Sequence, residues 1–252
     1  MMRPSPTESA GRRYLRVAED LVARLSADEW PRIDAAAALV AEALATGGTL
    51  HAFGSEHSHT LAEELFYRAG GLVRVRPILF EGLMLHASAP LSTSLERLPG
   101  LAAALRQDHP MASGDVLLIA SNSGGNEVAR ELARLARAGG VRTIGITSLD
   151  HATSHAARDQ GEPRLHELVD VAIDNGGRVG DAAVEVEGLA SRVAPTSTVV
   201  GAAIANALAA EVVERLVLQG IVPEVFSSSN VAGGDALNAR YLRAGDGQRD
   251  AS

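Results

Sequence analysis

The stretch DVLLIASNSGGNEVARELARLARAGGVRTIGIT, Asp115 to Thr147, decides how this chain folds. Val116 to Ala120 is a short apolar run of strand length, and Val128, Leu132, Leu135 and Ala136 then recur at helical spacing. Between them lies Ser121-Asn122-Ser123-Gly124-Gly125-Asn126. Glycines let the backbone approach an anion, the N–H groups of a helix's first turn point at it, and serine hydroxyls add directed donors. Two serines and two glycines exceed what a single helix cap needs, so the turn reads as an uncharged phosphate cradle. The pattern G-x-x-x-x-G-K-[ST] is absent, which argues against nucleoside triphosphates.

Working outward, strands alternate with helices after an all-helical start. Helices are expected over about 8–25 and 33–44, 58–69, 95–105 and 196–219. Strands are expected over 49–53, 72–80, 116–120, 142–147 and 169–173. Five short strands joined by helical crossovers predict an α/β, three-layer, doubly wound parallel five-stranded sheet. The chain divides on this reading into an N-terminal helical extension (1–46), a sheet domain (47–220) and a C-terminal segment (221–252) that closes the site. Ligands of such sheets bind at the carboxyl ends of the strands.

Composition narrows the function classes. A net charge of −8 offers no basic surface for nucleic acid or anionic lipid, and zero cysteines exclude disulfides and thiolate chemistry. The N-terminus lacks an apolar signal core and no apolar run reaches bilayer length, so the expected location is cytoplasmic and the membrane is not a partner.

A second turn, Gly54-Ser55-Glu56-His57-Ser58-His59, follows the strand 49–53. It is not G-x-G-x-x-G, and Glu56 would repel a pyrophosphate. His57 and His59, flanking Ser58, could donate to a sugar or act as acid–base groups. No third ligand cluster accompanies them, so neither a metal nor any other cofactor is expected.

These two turns, GSEHSH and SNSGGNE, together with PTSTVVGAAIANALAAEVVE (Pro195–Glu214), resemble the sugar isomerase (SIS) domain over roughly Gly47 to Gln219. The whole chain, including Val222–Leu242, is similar to a bacterial group of SIS proteins labelled phosphosugar isomerases. The resemblance implies that Ser121 and Ser123 bind phosphate with Asn122 and Gly124 beside them, and that Asn126 stands where Ser or Thr is usual. It implies that Ser58 faces the sugar or its phosphate, and that Ser197 and Thr198 form the hydroxyl pair opening the last long helix. Glu56 replaces the family's glycine.

In relatives such as phosphoheptose isomerase a glutamate lies ten residues after the first-turn serine; that position is Arg68 here, which cannot act as a base. Glu64, displaced by about 6 Å along a helix, is the nearest substitute. Glu81, in a loop at a strand's carboxyl end, is a second candidate. The acid–base set expected from sequence is Glu64 and Glu81, with His57 and His59 as donors. A carboxylate that takes the C2 proton of an opened sugar gives an enediol or enolate. Two carboxylates favour an amino-sugar (hexosamine) 6-phosphate undergoing 2,3-elimination or dehydration. Aldose–ketose isomerisation is the alternative reaction, and a non-catalytic sugar-phosphate sensor is the alternative class. SIS domains commonly pair, and the alanine-rich segment Val199–Val213 adds to the expectation of a homodimer that shares its sites across the interface.

Overall fold

The computed structural model describes residues 8–155 and 161–246. Strands β1 (Leu50–Gly54), β2 (Val75–Ile78), β3 (Val116–Ala120), β4 (Arg142–Thr147) and β5 (Val171–Asp174) form one parallel sheet in the order β2-β1-β3-β4-β5. Every residue of β1 and β3 is buried, as expected of central strands covered on both faces. The doubly wound fold anticipated from the alternation is what the chain adopts.

Alternation along each strand feeds two cores. Leu50 and Ala52, Val116 and Leu118, Ile144 and Ile146 face a helix layer made by α2 (Trp30–Ala45) and α9 (Ser197–Leu218). Phe53, Leu117 and Ile119 face the opposite layer, where α6 (Glu127–Ala138) buries Val128, Leu132, Ala133 and Ala136. Full burial of a Leu or Val such as Leu132 or Val128 contributes about 1.5–3 kcal/mol. α2 is reached from α1 (Ala10–Arg24) through a π-helical stretch, Leu25–Glu29. Ile33, Ala36, Ala37 and Val40 lie in the same core as the sheet. A division at residue 46 therefore follows the composition and cuts across this core.

Three elements differ from expectation. The helix placed at 58–69 is α3 (His59–Leu65), and it stops because Phe66 is extended and Tyr67 turns to positive φ. The helix placed at 95–105 resolves into α4 (Leu85–Leu95) and α5 (Leu101–Asp108), interrupted at Pro99-Gly100. The strand placed at 72–80 enters the sheet only over Val75–Ile78. Its first residues pair elsewhere: Leu72 bridges Val225 antiparallel, and Val73 N–H donates to Glu224 O at 3.0 Å.

That pairing seats the C-terminal segment on the β2 edge. Phe226 packs edge-on against Tyr67 at 4.9 Å, and Asn238 of α10 (Gly234–Asp246) clamps Ser227 through both its N–H (2.9 Å) and its carbonyl (2.8 Å). Of the small residues of α9, Gly201 and Ala205 are buried within the chain, whereas Ala202, Ala203, Ala207 and Ala209 are partly exposed and Ala210 is exposed. No helix among the described residues is long and apolar enough to cross a membrane.

Candidate functional site

Strand order reverses between β1 and β3, and the turns that leave their carboxyl ends bound a cleft of about 440 Å³. This is the position at which doubly wound sheets hold their ligands.

The turn after β3 is held from below by main-chain bonds. Ser121 N–H donates to Ile146 O and Gly124 N–H to Ser121 O, at 3.0 and 3.1 Å. Gly124 sits at φ 62, and a Cβ there would stand 3.1 Å from Thr147 Oγ1, so glycine is favoured on both counts. Asn122 faces β5: its Oδ1 accepts from Asn175 Nδ2 at 2.9 Å and its carbonyl from Ser148 N–H at 3.0 Å. It therefore stiffens the turn.

Asn126, at the N-cap of α6, makes no side-chain cap. Its amide donates instead to Glu96 Oε2 at 2.7 Å. Ser121, Asn122, Ser123, Gly125 and Asn126 all border the cleft, beside the first turn of α6.

The turn after β1 is tighter. A Cβ on Gly54 would lie 2.2 Å from Ser58 O, so only glycine lets the chain fold back there. Ser55 is buried and donates to Glu96 Oε2 at 2.8 Å. Glu96, itself 4% exposed, thus ties Ser55 of one turn to Asn126 of the other across the switch point.

Glu56 occupies the left-handed region at φ 50, a conformation that glycine adopts without cost. The two histidines divide their roles. His59 Nδ1 donates to Glu56 O, which holds the left-handed turn, whereas His57 is exposed and lines the cleft with Ser58.

The third wall is formed by Gly180, Asp181 and Ser197, which flank the hairpin of β6 (Ala182–Val184) and β7 (Val193–Pro195), an element the sequence reading did not anticipate. Asp181 precedes it and accepts from the N–H groups of Thr196 and Ser197 at 3.0 and 2.9 Å, and from Ser197 Oγ. Asp181 is therefore the N-terminal anion of α9. The hydroxyl pair read at this helix start separates: Ser197 borders the cleft with its hydroxyl given to Asp181, and Thr198 borders only a small neighbouring void.

Two cations also reach the cleft, Arg97 and the buried Arg164, so the cradle is not uncharged as its local sequence suggests. Leu165 N–H, at the start of α8 (Leu165–Leu168), donates to Gly124 O at 2.9 Å, and this bond sets Arg164 against the turn after β3. His151, in α7 (Leu149–Thr153) after β4, completes the wall. Burial, and secondarily Arg164, lower its pKa, so the ring is neutral near pH 7. Gly180 N–H donates to its Nδ1 at 3.3 Å, which leaves the ring proton on Nε2.

The expected acid–base carboxylates are not among these residues. Glu64 gives one oxygen to Arg68 Nη1 and the other to Asn206 Nδ2, both at 2.7 Å, on the α9 side of α3. Glu81 is exposed in the single 3-10 turn Glu81–Leu83. Neither borders the cleft of its own chain. Ten-residue spacing pointed to position 68 and, one helical turn back, to Glu64, but α3 ends at Leu65, and Arg68 and Asn206 hold the Glu64 carboxylate away from the cleft. Sequence reasoning missed Glu96, Asp181, His151, Arg97 and Arg164, since none belongs to a local motif. Among the described residues no group of three or more His, Cys, Asp or Glu side chains is placed to hold a metal ion.

Comparison with known proteins agrees with this architecture. The SIS domain family model matches residues 13–148. A UPF0309 protein of Geobacillus thermodenitrificans is 44% identical over 207 residues, spanning 82% of this chain and 83% of the relative. A UPF0309 protein of Listeria innocua is 40% identical over 225 residues, spanning 89% of this chain and 91% of the relative. Among solved structures, phosphoheptose isomerase from Neisseria gonorrhoeae aligns over 80% of this chain and 96% of its own, with TM-score 0.53 and 14% identity. Phosphoheptose isomerase from Francisella tularensis aligns over 80% and 95%, with TM-score 0.51 and 16% identity. At these identities the likeness is one of fold.

Proposed function

Because the chain belongs to the SIS domain family, we propose that it is a phosphosugar enzyme acting on a hexosamine 6-phosphate by abstraction of the C2 proton. The reaction proposed is 2,3-elimination with loss of the C3 hydroxyl. One observation carries the reading: the serine turn Ser121–Asn126 opens onto a cleft at the strand-order reversal, its helix start uncapped by Asn126 and Arg164 held beside it. A phosphate there meets backbone N–H groups, two hydroxyls and a guanidinium, while the sugar extends toward the turn after β1. His151, neutral with its proton on Nε2, supplies a donor suited to an enolate oxygen.

The test is incubation of N-acetylglucosamine 6-phosphate with the protein in heavy water, with C2 and C3 followed by NMR. A 2,3-unsaturated product that has lost the C3 oxygen supports the elimination. Deuterium at C2 with ketose formation moves the assignment to an isomerase. Binding of hexosamine 6-phosphates with no exchange at C2 makes the protein a sensor.

The assembly proposed is a homodimer. Its apolar contact would come from the end of α9, where Leu218 and nearby Val222 are 80% and 89% exposed. Light scattering at micromolar concentration decides it: a species of 26.2 kDa refutes the dimer.

A further inference from the structure

We propose that Glu56 is the carboxylate that moves the C2 proton in this cleft, an inference that rests on the phosphosugar reading above. Three carboxylates line the cleft: Glu56, Glu96 and Asp181. Two of them are committed. Glu96 is buried and accepts from Ser55 and Asn126, so it fastens the two turns together. Asp181 accepts four bonds from Thr196 and Ser197 at the start of α9. Glu56 accepts a single bond, from Thr93 Oγ1 of α4 to Oε1 at 2.5 Å, and its Oε2 has no partner among the described residues. One oxygen is thereby oriented and the other is left to act, which is the arrangement a general base needs.

The backbone supports the same assignment. Glu56 stands at φ 50, where a side chain brings steric cost and a glycine brings none. Surrounding structure enforces it, through Ser58 N–H on Ser55 O at 2.9 Å and the His59 ring on the Glu56 carbonyl. Strain of this kind collects where function needs a particular group in a particular place. What glycine would lack here is the carboxylate.

The step balances with this one residue. Glu56 Oε2 takes the proton from C2; the C–H pair forms a C1–C2 double bond and the C1 carbonyl becomes an enolate oxygen. When that oxygen re-forms its carbonyl, the C2–C3 double bond forms and the C3–O bond breaks. The leaving hydroxide takes the proton back from the Glu56 carboxyl group and departs as water. Glu56 is again a carboxylate, and the net change is loss of one water.

Glu56→Gln keeps the acceptor for Thr93 and removes the base. Deuterium exchange at C2 and product formation should fall by about 10²–10⁴, with the Kd for the 6-phosphate changed less than about threefold. Glu56→Gly should lose exchange equally while melting no lower than the wild type, because it also removes the strain. Wild-type exchange rates in Glu56→Gln overturn the assignment. So does a Glu56→Gly protein that melts lower and no longer binds, which would make Glu56 structural. Loss of exchange in Glu64→Gln or Glu81→Gln with Glu56→Gln active would move the base to those residues. If the wild type itself exchanges no hexosamine 6-phosphate that it binds, the enzyme reading fails first and this inference falls with it.

Discussion

The turns after β1 and β3 face one cleft from opposite sides of the strand-order reversal, and they are built on opposite terms. After β3 the left-handed residue is Gly124, and side chains such as Asn122 serve to brace the loop. After β1 the left-handed residue is Glu56, held in place by its neighbours against its own preference. Binding an anion asks for bare backbone N–H groups, so a relaxed glycine turn suffices. Moving a proton asks for a side chain at a fixed point, and there the chain accepts strain. Glu96 joins the two halves, which makes the comparison open to test.

The largest effect is expected from removing that join. Glu96→Ala leaves Ser55 Oγ and Asn126 Nδ2 without their buried acceptor and should lower the unfolding free energy by about 2–4 kcal/mol, read from the urea midpoint at unchanged slope. A loss under about 1 kcal/mol would mean that the two turns stand independently.

Next comes the anion side. Ser123→Ala should weaken binding of a hexose 6-phosphate by about 1.5–3 kcal/mol, measured by isothermal titration, with little change in melting temperature. The same sugar without its phosphate should bind far more weakly to the wild type. Equal affinity for both would break the assignment of the β3 turn.

Backbone conformation should then separate the turns by sign. Gly124→Ala puts a Cβ at positive φ and 3.1 Å from Thr147 Oγ1, and should cost about 1–2 kcal/mol of stability. Glycine at position 56 should carry no such penalty. Thermal melts of the two variants side by side check the contrast.

The smallest effect is one of pH. Burial lowers the pKa of His151 in the cleft and of His51 at the amino end of β1, where the ring faces Asp115 Oδ2 at 3.2 Å. The unfolded chain, with histidine near 6.5, takes up protons on acidification before the folded chain does. The stabilisation is therefore present above about pH 6.5 and is lost as the pH falls through the folded values. Urea titrations at pH 7.5 and 5.5 should show this fall, and His151→Asn should reduce it. An unchanged slope with pH in that variant would remove His151 from the account.

Much of the fold was legible along the chain. β1, β3 and β4 fall within a residue of their expected limits, because short, largely apolar segments bounded by glycine and polar turns leave few alternatives. The edge strand and its flanking helices were less legible. Pro77 weakens the β2 ladder, and Leu72–Val73 pair with a segment about 150 residues later, a partner that local periodicity does not encode. The site divides in the same way. Ser58, Ser121, Ser123, Asn126 and His57 were readable because each sits in a turn whose backbone its own neighbours specify, and all five reach the cleft.

By itself, then, the sequence determined the α/β alternation, the two turns at the carboxyl edge and the glycines they need. These follow from hydrogen bonds and steric limits that act over a few residues. Only the tertiary structure decided which charges meet there. Glu96 and Arg164 come to the turn after β3 from loops about 30 and 40 residues away, Asp181 caps a helix that begins sixteen residues after it, and Glu64 is held by Arg68 and Asn206. Such convergence depends on how the layers pack and where each helix stops, and burial there sets the protonation state of His151. A residue's place in a motif says what its backbone does; which partners its side chain meets is settled by the packing of the whole chain.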